Sequence, residues 1–244
     1  MTLPNSSQPL FDVESLAQET PLSKDTMLAS NKEPQNLGTP LAYALRPRHF
    51  DDYIGQSHLI GAGKPLRKLI DSQNIGSLLL WGPPGCGKTA LSRLISQHSN
   101  GDFISLNAVT AKLSDIKSVV KRAQDNQKIY RRTFLFIDEI HRFNKAQQDA
   151  FLPHIESGLF IFIGATTENP GFEINSALCS RSQILVLKSL NEHALAILLD
   201  KGLRALNLPS DTFTGDAKDY LVANSDGDGR RLLNILESFL IPTV

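Results

Sequence analysis

Cysteine is nearly absent: Cys86 and Cys179 are the two in 244 residues. Two thiols exclude a disulfide framework and a four-ligand zinc site, and usage this sparse suits a reducing compartment. Net charge is missing as well, because 25 Lys plus Arg face 25 Asp plus Glu. Any hold on nucleic acid must then come from local patches and not from bulk charge. No stretch approaches the roughly 18 apolar residues of a membrane span, and the opening MTLPNSSQPLFDV has no basic segment followed by an apolar run. These absences predict a cytoplasmic protein with no membrane partner. What is present, 41% hydrophobic and 20% charged residues, suffices for one large or two modest domains with a true core.

Residues 1–38 hold four prolines, five serines and one aromatic, Phe11, with acids outnumbering bases; they read as a flexible N-terminal leader. Over residues 39–189, apolar runs of strand length alternate with helix-length amphipathic stretches, which predicts a parallel α/β sheet. The runs begin at Ser77, Phe103, Phe134, Leu159 and Ile184. None shows polar alternation, so all five are expected to be buried on both faces. After Ser189 the period becomes helical through Leu195, Leu199 and Leu203, then Leu232, Leu233 and Leu236. Residues 190–244 are therefore expected to form a small all-helical domain whose first helix starts at Asn191. Ending at Val244 soon after a helix, that domain reads as incomplete.

Chemistry concentrates in three places. Gly82-Pro83-Pro84-Gly85-Cys86-Gly87-Lys88-Thr89 follows the first run and opens a helix, satisfying G-x-x-x-x-G-K-[ST] in its required context. Glycines let backbone N–H groups converge on phosphate oxygens at a helix N-terminus, where the dipole favours negative charge. Lys88 then reaches the β- and γ-phosphates, and the Thr89 hydroxyl is placed for Mg²⁺. Cys86 sits at a permissive loop position. The third run ends in Asp138-Glu139; Asp138 suits the Mg²⁺ shell and Glu139 suits activation of an attacking water. The fourth run closes on Ala165-Thr166-Thr167-Glu168, where a hydroxyl could hold that water or the γ-phosphate. Thr167 is the choice, with Thr166 as the alternative.

Other residues carry less. Arg181 and Arg230, taken singly, read as surface salt-bridge partners. Seven basic residues between Lys112 and Arg132 face only Asp115 and Asp125, and the plain reading is a solvated helix face, since Tyr130 is the single aromatic among them. His141 and His154 lack a third ligand at metal spacing and read as surface or packing residues.

In this order, GPPGCGKT, FLFIDE, GATTENP, Ser-Arg-Ser and GDGRRLLN resemble the AAA+ ATPases of the clamp-loader-like group. More narrowly, DEIHRFNKAQQDAFLPHIESG and IGATTENPGFEINSALCSR resemble the replication-associated recombination protein A family and its Werner-helicase-interacting relatives. The resemblance spans about residues 40–240 and implies ATP with Mg²⁺, a five-stranded parallel sheet and a helical lid. It implies that Arg46 and Ile54 line the adenine pocket and that Arg230 reaches the γ-phosphate from the lid. It makes Arg181 an arginine finger for a neighbouring subunit, and Asn107 a polar residue holding Glu139. It further implies a nucleoid-associated, DNA-dependent ATPase at stalled forks or single-stranded gaps, with replication proteins as partners. It implies a homo-oligomer formed through a C-terminal domain, which is expected to be missing from these 244 residues. An ATP-gated scaffold and a branch-migration helicase are the competing readings.

Overall fold

The computed structural model describes residues 39–239, which belong to one compact unit beginning at Thr39. The expected leader and the last five residues lie outside the described residues. Five parallel strands form the sheet: β1 (Leu78–Trp81), β2 (Asp102–Asn107), β3 (Thr133–Asp138), β4 (Ile161–Thr166) and β5 (Gln183–Val186), in the order β2-β3-β4-β1-β5. All five expected runs are strands. The connection leaving β1 crosses to β2 on one side and the connection leaving β4 crosses to β5 on the other. Their loops therefore part at the C-terminal ends of β1 and β4, where α/β sheets bind ligands.

Alternate side chains of the strands enter two separate cores, as a pleat of period two requires. On one face Phe134 and Phe136 join Leu78, Leu80 and Ile163 beneath the helix Lys88–His98. On the other, Leu135 and Ile137 join Leu79 and Phe162 beneath the helix Leu113–Lys128. Burial on both faces holds for β1, β3 and β4 and fails for the edge strands. In β2, Ser105 and Asn107 are exposed, and in β5, Gln183, Ile184 and Val186 are. An edge strand has a neighbour on one side only, so the flanking helices cover it incompletely.

The C-terminal helices Glu192–Ala205, Gly215–Asn224 and Gly229–Ser238 enclose a third core of Leu195, Leu199, Leu203, Leu221, Leu232 and Leu236. Leu41, from the short helix Leu41–Ala44, completes it from the other end of the described chain. The Asn191 side chain accepts the Ala194 N–H at 2.9 Å, capping the first of these helices as its sequence predicts.

One member of the basic stretch is structural. Arg122 donates to both carboxylate oxygens of Asp102, each at 2.6 Å, and Asn126 bridges Asp102 and Thr133 at 2.8 and 2.9 Å. Burial alone would push the Asp102 carboxyl up, but the bonds from Arg122 and Asn126 outweigh it and hold the group below the usual carboxylate range. A depressed folded pKa contributes stability above the unfolded value near 4, and that stability is lost as pH falls through the folded value. Arg122→Ala should cost about 2–4 kcal/mol, less than a fully buried pair because Arg122 is itself 41% exposed. Urea melts at pH 7 and pH 3 check both points, with the gap between wild type and variant shrinking at the lower pH.

Candidate active site

Gly82–Thr89 runs from the end of β1 into the helix Lys88–His98, and its geometry depends on missing side chains. Gly85 and Gly87 adopt left-handed backbone at φ +63° and +100°. A methyl group on Gly85 would overlap the Asp228 carboxylate, and one on Gly87 would stand 2.5 Å from the Tyr53 hydroxyl. The loop is also tied from behind. Tyr53 donates its hydroxyl to the Gly87 carbonyl at 3.2 Å. Gln56 donates to the carbonyls of Cys86 at 3.3 Å and Lys188 at 2.6 Å, and accepts the Lys188 N–H at 2.9 Å. Loop and β5 exit are thereby locked together by one buried amide.

Lys88 is buried, with its ammonium donating to the Gly82 and Pro83 carbonyls at 2.6 and 2.8 Å. A cation held by neutral acceptors inside its own loop is a charge for which phosphate oxygens are better partners. Cys86 is 1% exposed and packs into the core. Burial pushes its thiol up against the lowering influence of Lys88, which disfavours a reactive thiolate at this loop position.

A cleft of about 930 Å³ opens beside the loop. It brings together Pro84, Gly85, Cys86, Gly87, Lys88 and Thr89 with Asp138, Glu139, Arg46, Ile54 and Arg230. Gly82 and Pro83 lie behind this lining and contribute their carbonyls to Lys88. Thr89 and Asp138 both line the cleft and carry oxygens of the hard kind that Mg²⁺ accepts. The Arg46 guanidinium lies 4.1 Å from the Tyr43 ring centroid, and Tyr43, Leu190, Leu198 and Leu233 give the cleft an apolar end. Tyr43 and these leucines were missed in the sequence because they come from both ends of the chain.

The C-terminal helices dock directly on the loop. Asp228 caps the helix Gly229–Ser238 by accepting the N–H groups of Arg230 and Arg231 at 2.8 and 2.9 Å, and the Gly229 N–H reaches the Gly85 carbonyl at 3.3 Å. This places exposed Arg230 at the mouth of the cleft. Lys201 closes the same mouth by donating to the Asp52 carbonyl at 3.1 Å.

Three expected residues stand elsewhere. Arg181 does not line the cleft; it is exposed, pairs with Glu156 at 2.5 Å and donates to the Ala177 carbonyl at 2.9 Å. Asn107 spends its side-chain carbonyl on the Val109 N–H at 2.8 Å, a turn of its own making, and Glu139 is met by His141 at 3.4 Å instead. At the end of β4, Thr166 is fully buried, with its hydroxyl bonded to His141 and to the Glu168 N–H at 2.9 and 3.0 Å. Thr167 is half-buried. Of the two readings of His141, the surface one is corrected: its side chain is 8% exposed and is bonded to Thr166 at the end of β4. His154 packs on the Phe160 ring. Among the described residues, no group of three or more His, Cys, Asp or Glu is placed to hold a metal, and no helix is long and apolar enough to cross a membrane.

The family of ATPases associated with various cellular activities (AAA) matches residues 78–190. Replication-associated recombination protein A of Escherichia coli strain K12 is 46% identical over 206 residues, covering 83% of this chain and 46% of that protein. Its Haemophilus influenzae counterpart is 48% identical over 202 residues, covering 81% and 45%. ATPase WRNIP1 of Dictyostelium discoideum is 42% identical over 201 residues, covering 81% and 23%. Among solved structures, the Thermotoga maritima RuvB Holliday junction branch migration motor superposes with a TM-score of 0.66 at 26% identity, covering 79% of this chain and 64% of that one. The chain spans about half the length of the bacterial relatives it matches, at 46% and 45%. With a nucleotide loop, an acidic strand end and a helical lid around one cleft, the chain belongs to the AAA ATPases, in the replication-associated recombination protein A family.

Proposed function

We propose that the chain hydrolyses ATP in this cleft and that turnover is completed by Arg181 of an adjacent copy. What carries the reading is one asymmetry: Lys88, Thr89, Asp138, Glu139 and Arg230 share a cleft that Arg181, exposed and held by Glu156, does not enter. In this scheme the loop N–H groups and Lys88 hold the β- and γ-phosphates, while Thr89 and Asp138 hold Mg²⁺. Mg²⁺, when bound, would neutralise charge on the phosphoryl oxygens. Glu139 takes the proton of the attacking water. Thr167 is assigned to that water or the γ-phosphate because the Thr166 hydroxyl is already committed. Arg230 contacts the γ-phosphate from the lid, and Arg46 and Ile54 contact the base.

We further infer that turnover responds to DNA carrying single-stranded gaps or stalled forks, with replication proteins as partners and a homo-oligomer as the working form. The names of the relatives support the setting. Exposed Arg142 and Lys145, on the segment just beyond Glu139, are the favoured phosphate contacts. Part of the other basic stretch is engaged within the chain: Arg122 holds Asp102, Lys128 pairs with Asp125, and Arg132 donates to the Gln73 carbonyl. Such contacts are indifferent to base sequence and weaken with salt. Phosphate release should rise on adding gapped or forked DNA, and the rise should shrink between 50 and 200 mM salt. Equal rates with and without DNA would favour the ATP-gated scaffold, whereas strand displacement would favour the branch-migration helicase that the RuvB likeness suggests.

A further inference from the structure

The Glu139 carboxylate needs a partner that fixes its aim, and Asn107 does not supply one. Glu139 is left-handed at φ +53°, which turns the chain abruptly out of β3 into the 3-10 turn Ile140–Arg142. That turn is closed by the Arg142 N–H on the Glu139 carbonyl at 2.8 Å. A left-handed backbone is disfavoured for glutamate, so the surroundings must enforce it. The result is that the His141 ring folds back against the end of β4, with Nδ1 2.9 Å from the Thr166 hydroxyl and 3.4 Å from Glu139 Oε2.

Counting donors fixes the tautomer. The Thr166 oxygen accepts the Glu168 N–H at 3.0 Å and lies 3.3 Å from the Glu168 carbonyl. A hydroxyl has one proton and two lone pairs. If that proton went to His141 Nδ1, the Glu168 carbonyl would lose its donor and Nδ1 would turn a lone pair toward a carboxylate. If Nδ1 carries a proton, the Thr166 hydroxyl accepts from His141 and from Glu168 N–H and donates to the Glu168 carbonyl. Glu139 Oε2 stands 3.4 Å from the same nitrogen, an electrostatic contact beside the bond to Thr166. This arrangement gives Nδ1, the Thr166 hydroxyl and both Glu168 backbone groups a partner.

We propose that His141, as the Nδ1–H tautomer, is a positioning residue that ties the Glu139 carboxylate to the end of β4. This rests on the assignment of Glu139 as the base. The tie links the base to the strand end that carries Thr167, so both groups acting on the water are set by one hydrogen-bonded unit. A distance of 3.4 Å is long for a hydrogen bond, and contacts of this kind tighten in the reactive complex.

Asparagine places an N–H near the position of Nδ1, glutamine places one near Nε2, and leucine offers none. His141→Asn should keep turnover within about threefold of wild type. His141→Leu and His141→Gln should lower kcat about 10–100-fold with little change in KM for ATP, the loss expected when a catalytic group is misplaced by about an ångström. Thermal melts of all three identify a variant that merely unfolds. A second measurement needs no turnover: nitrogen NMR of 15N-histidine-labelled protein, above the histidine titration range, should give a neutral Nδ1–H ring that disappears in His141→Asn and shifts in Glu139→Gln. A His141 ring protonated on Nε2, or folded Leu and Asn variants with equal rates, would overturn the proposal. Glu139→Gln with undiminished turnover would instead overturn the assignment of the base.

Discussion

Glu139→Gln should bind ATP as tightly as wild type and release phosphate about 10²–10⁴-fold more slowly. That range is what a positioned general base contributes. The amide keeps the shape of the side chain at the cleft wall and removes only the basicity, so binding through Lys88 and the loop is untouched. Fluorescent-nucleotide titration and phosphate release on the same preparation separate the two quantities. Lys88→Ala should show the converse pattern, with binding itself lost. Its ammonium is the buried charge poised over the loop, and the two carbonyls it holds would be left without a donor.

Arg181→Ala should cost about 10³–10⁵ in turnover, the range seen for arginine fingers supplied in trans. Its own cleft is intact without it, because Arg181 is held outside by Glu156 and the Ala177 carbonyl. ATP affinity in the isolated chain should therefore be unchanged. The rate of wild-type protein should also rise with concentration faster than linearly while copies are associating, and that curvature should vanish in the variant.

The parts of this site that are local in sequence are the parts a sequence displays. Loop, strand and helix from Leu78 to His98 are contiguous, and the left-handed turns at Gly85 and Gly87 and the reach of Lys88 to the Gly82 and Pro83 carbonyls are set within that stretch. Asn191 is equally local, capping a helix three residues away. What escapes is chemistry shared between separate strands. His141 and Thr166 are 25 residues apart and meet because β3 and β4 are neighbours. Gln56 and Lys188 are 132 apart and meet behind the loop. Arg122, counted among the bases of an amphipathic helix, belongs to a buried carboxylate on β2. The difference between Thr166 and Thr167 is equally hidden in the run: Thr166 pairs with Trp81 at the last position of the ladder and is sealed, whereas Thr167 lies just past the strand and is half-buried. Whether a run lies at a sheet edge is likewise set by strand order, so nothing within the run beginning at Ile184 announced that Ile184 and Val186 would be exposed.

The claim beneath all of this is that one catalytic unit is assembled from two copies, with Glu139 from one and Arg181 from the other. Mixing Glu139→Gln with Arg181→Ala tests it most directly, since each variant keeps the part the other has lost. In an equimolar mixture that exchanges freely, about a quarter of the sites pair an intact Glu139 with an intact neighbouring Arg181, and turnover should recover to that order. A mixture no faster than the sum of its two components would contradict the account.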